Sequence, residues 1–255
     1  MEKYLQQLLP KFRYGDIAPR GRSGREVMRG FGYDFYRIVP TDVMLFTIVM
    51  GLTEFDRAAV EKAVERYEKC VQALLREKVN CIILGGVPIS AQLGRQRVLK
   101  MLRETEEKTG VPCDAPFESL LAAMKHLGLK TIAVASRWVD DVNRGVKAYI
   151  EEGGFRVVGM TTRGQWGVDS AAMSLEEGMR TALEVGREAA RLAPDADAIF
   201  VPGGAAISLH TVPALEEEFG KPAFNNLNVE VWNNLIRPGV IPPVQGWGKL
   251  LASGR

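Results

Sequence analysis

Apolar residues fall along this chain in two alternating rhythms. Short runs of aliphatic, β-branched and aromatic residues, bounded by Gly, Pro or polar residues, predict strands over 12–18, 43–49, 79–84, 131–135, 155–161 and 198–201. A further short strand follows Gly110-Val111-Pro112. Between these runs the apolar spacing is helical. One long helix opens at Thr53 and gathers Val60, Val64, Tyr67, Val71, Leu74 and Leu75 on one face. Others are predicted over 1–9, 89–108, 119–127, 139–152 and 207–219. Ser174-Leu175-Glu176-Glu177 reads as a capping box opening a helix that reaches 192. The Pro- and Gly-rich stretch 238–248 reads as a surface-wrapping tail. Strand and helix alternate, which predicts an α/β protein with mostly parallel sheet.

One strand-loop-helix unit occurs twice. Cys81-Ile82-Ile83-Leu84-Gly85-Gly86-Val87-Pro88-Ile89-Ser90 matches Ile199-Phe200-Val201-Pro202-Gly203-Gly204-Ala205-Ala206-Ile207-Ser208. The helix after each copy leads to Gly-x-Pro, at Gly110-Val111-Pro112 and Gly220-Lys221-Pro222. Such self-similarity predicts two similar α/β halves. We divide them as 1–112 plus 228–255, and 113–227.

Composition narrows the function classes. Of 255 residues, 33 are Lys or Arg and 31 Asp or Glu, a net charge of +2. That balance excludes a strongly basic nucleic-acid binder and an acidic disordered tail. No stretch approaches the roughly 18 apolar residues of a membrane span. The odd count of 3 cysteines, with no secretion signal visible behind Met1-Glu2-Lys3-Tyr4, predicts a reducing, cytoplasmic setting. With only His126 and His210, a His-rich metal site is not expected.

The candidate chemistry clusters at strand ends. Gly85, Gly86 and Val87 form one loop between a buried strand and a helix, and Gly203, Gly204 and Ala205 form the other. The unpaired N–H groups of a helix start favour an anion, so two facing loops would grip a small acid between the halves. Neither loop has Walker or GxGxxG spacing, so nucleotide binding is not favoured. Cys70 and Cys81 fall on buried faces, whereas Cys113 ends a strand and is the candidate nucleophile. Asp114 beside it is the candidate general acid or base. Arg20, Arg22 and Arg25 are placed to pair with a carboxylate, Pro19 begins their loop, Trp138 would wall the site, and Asn225 offers an amide. Trp166 and Asp169 sit in a Gly-rich segment that reads as a lid.

Between about 109 and 235 the chain resembles the aspartate/glutamate racemase superfamily, and within it the arylmalonate decarboxylase and maleate cis-trans isomerase group. The likeness rests on Thr109-Gly110-Val111-Pro112-Cys113, on Thr131-Ile132-Ala133-Val134-Ala135, on Asp140-Asp141-Val142-Asn143, and on Gly203-Gly204 with Gly220-Lys221-Pro222. Gly15-Asp16-Ile17-Ala18-Pro19 is similar to the family's first strand and proline loop. The resemblance implies two pseudo-symmetric three-layer α/β halves with the site in the cleft between them. It implies a small carboxylate as substrate, an enolate-like or thiolate-bound intermediate, no metal or organic cofactor, and a homodimer. It places catalytic cysteines after the two repeat strands, where this chain has Gly86 and either Pro202 or Gly203. It places hydroxyl donors in the first loop, where this chain has Val87 and Pro88, and a tyrosine where it has Trp138.

The expectation is therefore a cofactor-independent isomerase or carbon–carbon lyase on a small carboxylic acid that works without the thiol pair. The alternatives are a cysteine-independent hydrolase and a non-catalytic carboxylate-binding protein.

Overall fold

The computed structural model describes residues 8–19, 31–52, 54, 56–165, 169, 172–203 and 208–254. Two four-stranded sheets, all parallel, divide the chain. The first has the order β2-β1-β3-β4, with β1 Phe12–Ala18, β2 Val43–Val49, β3 Cys81–Leu84 and β4 Cys113–Asp114. The second has the order β6-β5-β7-β8, with β5 Thr131–Val134, β6 Arg156–Met160, β7 Ala198–Val201 and β8 Ala223–Asn225. The central strands β3, β5 and β7 are apolar runs buried on both faces, which parallel sheets demand, and β1 is buried from Tyr14 onward while carrying Asp16. The two halves anticipated from the repeat are present, with the same strand order.

The helices are α1 Phe31–Ile38, α2 Arg57–Val64, α3 Tyr67–Arg76, α4 Val87–Leu93, α5 Arg95–Thr109, α6 Pro116–His126, α7 Asp140–Glu152, α8 Leu175–Leu192, α9 Thr211–Phe219, α10 Asn226–Val231 and α11 Lys249–Ala252. The single helix expected from Thr53 is two, α2 capped by Asp56 and α3. Thr53 lies outside the described residues, as do residues 1–7 of the helix predicted over 1–9. The stretch expected as one helix over 89–108 breaks at Gly94, whose φ of +77° no side-chain-bearing residue adopts cheaply. Four elements were not predicted: α1, β8, α10 with the π-turn Trp232–Ile236 that continues it, and α11.

Helices cover both faces of each sheet. On the first, Tyr14 of β1 packs on Phe35 of α1, while Gly15 turns toward Leu74 of α3. On the second, Phe200 of β7 meets Phe117 of α6, while Val201 lies under Gly186 of α8. The halves also exchange a helix. Helix α6 follows β4 of the first sheet yet covers the second. Helix α10 follows β8 of the second yet returns to the first, where Glu230 accepts a hydrogen bond from Tyr14. Strand β4 belongs to the first sheet, so that half extends two residues past the expected boundary at 112.

The strand register shows how the repeats superpose. Ile83 pairs with Asp114, and Phe200 pairs with Phe224. Ile82 N–H donates to Pro112, and Ile199 N–H to Pro222. Ile83 therefore corresponds to Phe200, and three residues beyond each stands a glycine at positive φ, Gly86 at +98° and Gly203 at +109°. The corresponding glycines are one residue out of step with the Gly-Gly-x-x-Ile-Ser match.

The halves dock through the segments that follow the glycine loops. Helix α4, which starts at the Gly86 loop, crosses α7 so closely that a Cβ on Gly145 would lie 2.4 Å from the Ala91 carbonyl oxygen. On the other side, Leu209, downstream of the Gly203 loop, donates its N–H to Asp34 of α1. The segments following Gly86 and Gly203 are thus each anchored, at α4 and at Leu209, to the helix that follows the opposite half's first strand. This places Gly86 and Gly203 near one interface between the halves.

Candidate active site

The first half contributes a tight group at the carboxyl ends of β1 and β3. Here strand order reverses around β1, the location where open α/β sheets bind ligands. Pro19 lies against Gly86: a Cβ there would sit 3.0 Å from Pro19 Cγ. The close approach and the φ of +98° both require glycine at 86. Gly85 spends its N–H on Ile17, continuing the ladder. The Gly86 and Val87 N–H groups donate to no described backbone acceptor outside the regular elements and stand at the start of α4. Val87 is fully buried, backbone included, whereas Gly86 is half-buried, so Gly86 is the residue of the pair that can meet a ligand.

Asp16 completes the group. Its Oδ1 lies 2.8 Å from where a Cβ on Gly85 would be, and Thr47 Oγ1 donates to Oδ2 at 3.4 Å. With one long hydrogen bond to offset burial, its carboxyl is pushed up to about 7. Behind it, burial and then the charges of Asp16 and Asp114 hold Glu230 well above the usual carboxylate range.

The second half contributes the turn Ser136-Arg137-Trp138 and Gly203. The Asp-Asp-Val-Asn segment has a visible task here. Asn143 Nδ2 donates to the Trp138 carbonyl at 3.1 Å, and its Oδ1 accepts from Ser136 Oγ at 2.5 Å. Ser136 Oγ accepts the Trp138 N–H at 3.1 Å, and Thr162 Oγ1 donates to the Trp138 carbonyl at 2.7 Å. The turn is therefore held from four directions. It presents Arg137 Nη2 at 3.5 Å and Trp138 Cζ2 at 3.7 Å from where a Cβ on Gly203 would be.

The residues anticipated for chemistry are arranged otherwise than expected. Asp114 Oδ2 accepts from Ser119 Oγ at 2.5 Å, Asn233 Nδ2 at 2.8 Å and Asn234 Nδ2 at 2.7 Å, and Oδ1 from the Ala115 N–H at 2.7 Å. Four donors fill a carboxylate's acceptor capacity, so Asp114 ties α6 to the π-turn. Burial raises its proton affinity and these hydrogen bonds lower it. The Cys113 Sγ donates back to the Val111 carbonyl, and Glu106 accepts the Cys113 N–H. Burial and the neighbouring Glu106 push this thiol up to about 12, the wrong direction for a nucleophile. Asn225 caps α10 through Asn228 and donates to Ser208, so it organises the loop end. Gly203 gives its N–H to Asn226 at 3.3 Å and is no free oxyanion donor.

Pro19, Gly85, Gly86 and Val87 are brought together, as are Trp138 and Gly203. Arg20, Arg22, Arg25, Trp166, Gly204 and Ala205 lie outside the described residues. No cysteine stands on either glycine loop; the three are Cys70, Cys81 and Cys113. Among the described residues no group of His, Cys, Asp and Glu is arranged to hold a metal ion, and no helix is long and apolar enough to cross a membrane.

The arrangement has relatives. The family model described as arylmalonate decarboxylase matches residues 37–251. The chain belongs to the arylmalonate decarboxylase family. The arylmalonate decarboxylase of Bordetella bronchiseptica is 23% identical over 218 residues, covering 85% of this chain and 89% of that protein. A crystal structure of a liganded double mutant of arylmalonate decarboxylase superposes with a TM-score of 0.82 at 22% identity, over 94% of this chain and 98% of that one. The Nocardia farcinica maleate cis-trans isomerase bound to TRIS gives 0.80 at 17% identity, over 94% and 98%. A mutant of the Nocardia farcinica enzyme carries a covalently bound succinylcysteine intermediate. The decarboxylase family's two-sheet fold is the one described above.

Proposed function

We propose that the chain is a cofactor-independent enzyme that decarboxylates or isomerises a small carboxylic acid without a thiol nucleophile. Its reaction passes through an enolate-like state at the Gly86 loop. Membership of the arylmalonate decarboxylase family supports an enzyme of this general type. The observation that carries the finer reading is Asp16: a buried carboxyl with a proton affinity near neutrality, set against Gly85 at the strand-order reversal.

The chemistry follows from these groups. A carboxylate substrate that loses CO2, or passes an α-proton to the ionised Asp16, leaves charge on its remaining carbonyl oxygen. The Gly86 N–H, fixed at a helix start, stabilises that oxygen. The protonated Asp16 then delivers its proton to carbon, and solvent restores it. Near pH 7 both forms of Asp16 are populated, which suits repeated proton transfer. Pro19 and Trp138 supply apolar walls that keep the cleft from hydrating the anion.

The test is turnover of arylmalonates, and racemisation of their monoacid products, in D2O, followed by NMR. Release of CO2 or racemisation, with one deuterium placed on the former carbanion carbon, is the expected result. Because decarboxylation draws on the acid form, its kcat/KM falls as pH rises through about 7, and Asp16→Asn loses at least a hundredfold. Failure of the wild-type chain to turn over any small mono- or dicarboxylate would overturn the proposal.

A further inference from the structure

Among the described residues one buried cation has no anion. Arg137 is 5% exposed, and its Nη1 has no hydrogen-bond partner. It takes part in no ion pair among the described residues, whereas Arg95, Arg97, Arg163 and Arg187 each do. Burial alone lowers its proton affinity, with no opposing charge to restore it. An unpaired buried charge is costly and persists where something outside the chain pairs with it.

The geometry around it is that of a receptor. The Ser136-Arg137-Trp138 turn is fixed by Asn143, Thr161 and Thr162, and the Arg137 carbonyl accepts the N–H groups of Arg163 and Gln165. The backbone that carries the guanidinium is therefore fixed. Directly across from Nη2 stands Gly203, where the missing side chain leaves open the space that a Cβ would fill. Trp138 borders the same space and gives it one apolar side. A guanidinium presents two parallel N–H donors that match a planar carboxylate.

We infer that Arg137, beside Gly203 and Trp138, is a carboxylate-binding subsite on the second half of the cleft. It holds a carboxylate of the substrate that the reaction leaves intact. This rests on the proposed function for the identity of the ligand as substrate, but the subsite itself stands on Arg137. The subsite gives the two halves different tasks: the Gly86 side handles the developing charge, and the Gly203 side holds a permanent one.

The experiment uses the full chain and succinate as probe, with inorganic phosphate as comparison. Thermal melts and calorimetric titration are run on wild type, Arg137→Met, Arg137→Gln and Arg137→Lys. Succinate is expected to bind wild type saturably and to raise its Tm. Both neutral variants should lose at least tenfold in affinity, and Arg137→Lys should recover only part. Without ligand, Arg137→Met should melt at or above the wild-type temperature, since it removes an unpaired buried charge. A ligand-free Tm several degrees lower in both neutral variants would overturn the inference, because Arg137 would then be paired within the protein. Succinate affinity unchanged by the substitutions, no succinate binding to wild type, or Arg137-dependent binding of phosphate in preference to succinate would each overturn it too. If succinate binding depends on Arg137 while no carboxylate is turned over, the subsite stands and the proposed reaction falls.

Discussion

Replacing Asp16 by Asn tests the electrostatics of the cleft through stability alone. The two side chains are nearly isosteric, but the amide cannot ionise. Burial raises the Asp16 carboxyl from 3.8 to about 7, a rise of roughly three pH units. At about 1.36 kcal/mol per unit, this is about 4 kcal/mol of differential interaction between the two protonation states. The sign follows from proton counting. Between pH 4 and 7 the folded chain binds this proton and the unfolded chain does not, so stability falls as pH rises. The contribution is fully present below the unfolded value of 3.8 and is lost as pH climbs through about 7. Asp16→Asn has no such slope. The difference in unfolding free energy between variant and wild type should therefore move in the variant's favour by about 4 kcal/mol between pH 4 and pH 8. Asp34, raised to about 6, tilts both curves equally and cancels in that difference, whereas the repulsion between ionised Asp16 and Glu230 is absent from the variant and moves the difference further in its favour. Urea denaturation followed by tryptophan fluorescence at a series of pH values reads it directly. A difference that stays flat within about 1 kcal/mol over that range would refute the argument, because Asp16 would then titrate as an ordinary solvated carboxyl.

Three further substitutions probe the frame and the thiol. Gly145→Ala drives a methyl group into the Ala91 carbonyl, which cannot rotate away, so α4 and α7 must separate; a loss of about 2–3 kcal/mol in thermal or urea melts is expected, and a loss below about 0.5 kcal/mol would show that the contact is loose. Asp114→Ala strands the buried donor of Ser119 and the half-buried donors of Asn233 and Asn234 and should cost about 3 kcal/mol, whereas Asp114→Asn should cost less; equal, small effects in urea melts would remove the clamp. Cys113→Ala should leave kcat/KM and its pH profile unchanged once a substrate is in hand, and a drop of tenfold or more would return the thiol to the mechanism.

Most of the architecture was legible because it is written in patterns with a period. The apolar runs of β1, β3, β5 and β7 and the Ser174 capping box lie where the spacing placed them. The repeated glycine loops announced two halves before any strand order was known. What escaped has no period. Helix α1 shows little sequence signal because Phe31, Phe35 and Ile38 pack on Tyr14 and the core from a short, glycine-interrupted stretch. Helix α10 and its π-turn carry Asn225, Asn226, Asn228, Asn233 and Asn234, residues that suggest a loop until their partners are seen. Those partners, Asp114, Gly203 and the helix's own cap, are distant or backbone groups.

The site was harder to read for a related reason. A sequence displays residue types, whereas function here depends on which polar groups remain unspent. Asp114 and Cys113 looked chemical because they end a strand, yet the fold consumes both, one by four donors and the other by burial beside Glu106. Asp16 and Arg137 looked ordinary, one inside a first strand and the other in a turn, and they are among the charged groups the fold buries and leaves under-paired, as it does Glu230. Asp16 and Arg137 stand at the carboxyl ends of the first strand of each half, β1 and β5, which the duplication makes equivalent. A duplicated fold offers two equivalent strand ends around one cleft, and this chain has placed an acid of near-neutral affinity at one and a permanent cation at the other. That division of charge suits a ligand whose two ends are treated differently. It arises without a thiol on either loop, so the pair of groups to mutate first is Asp16 and Arg137.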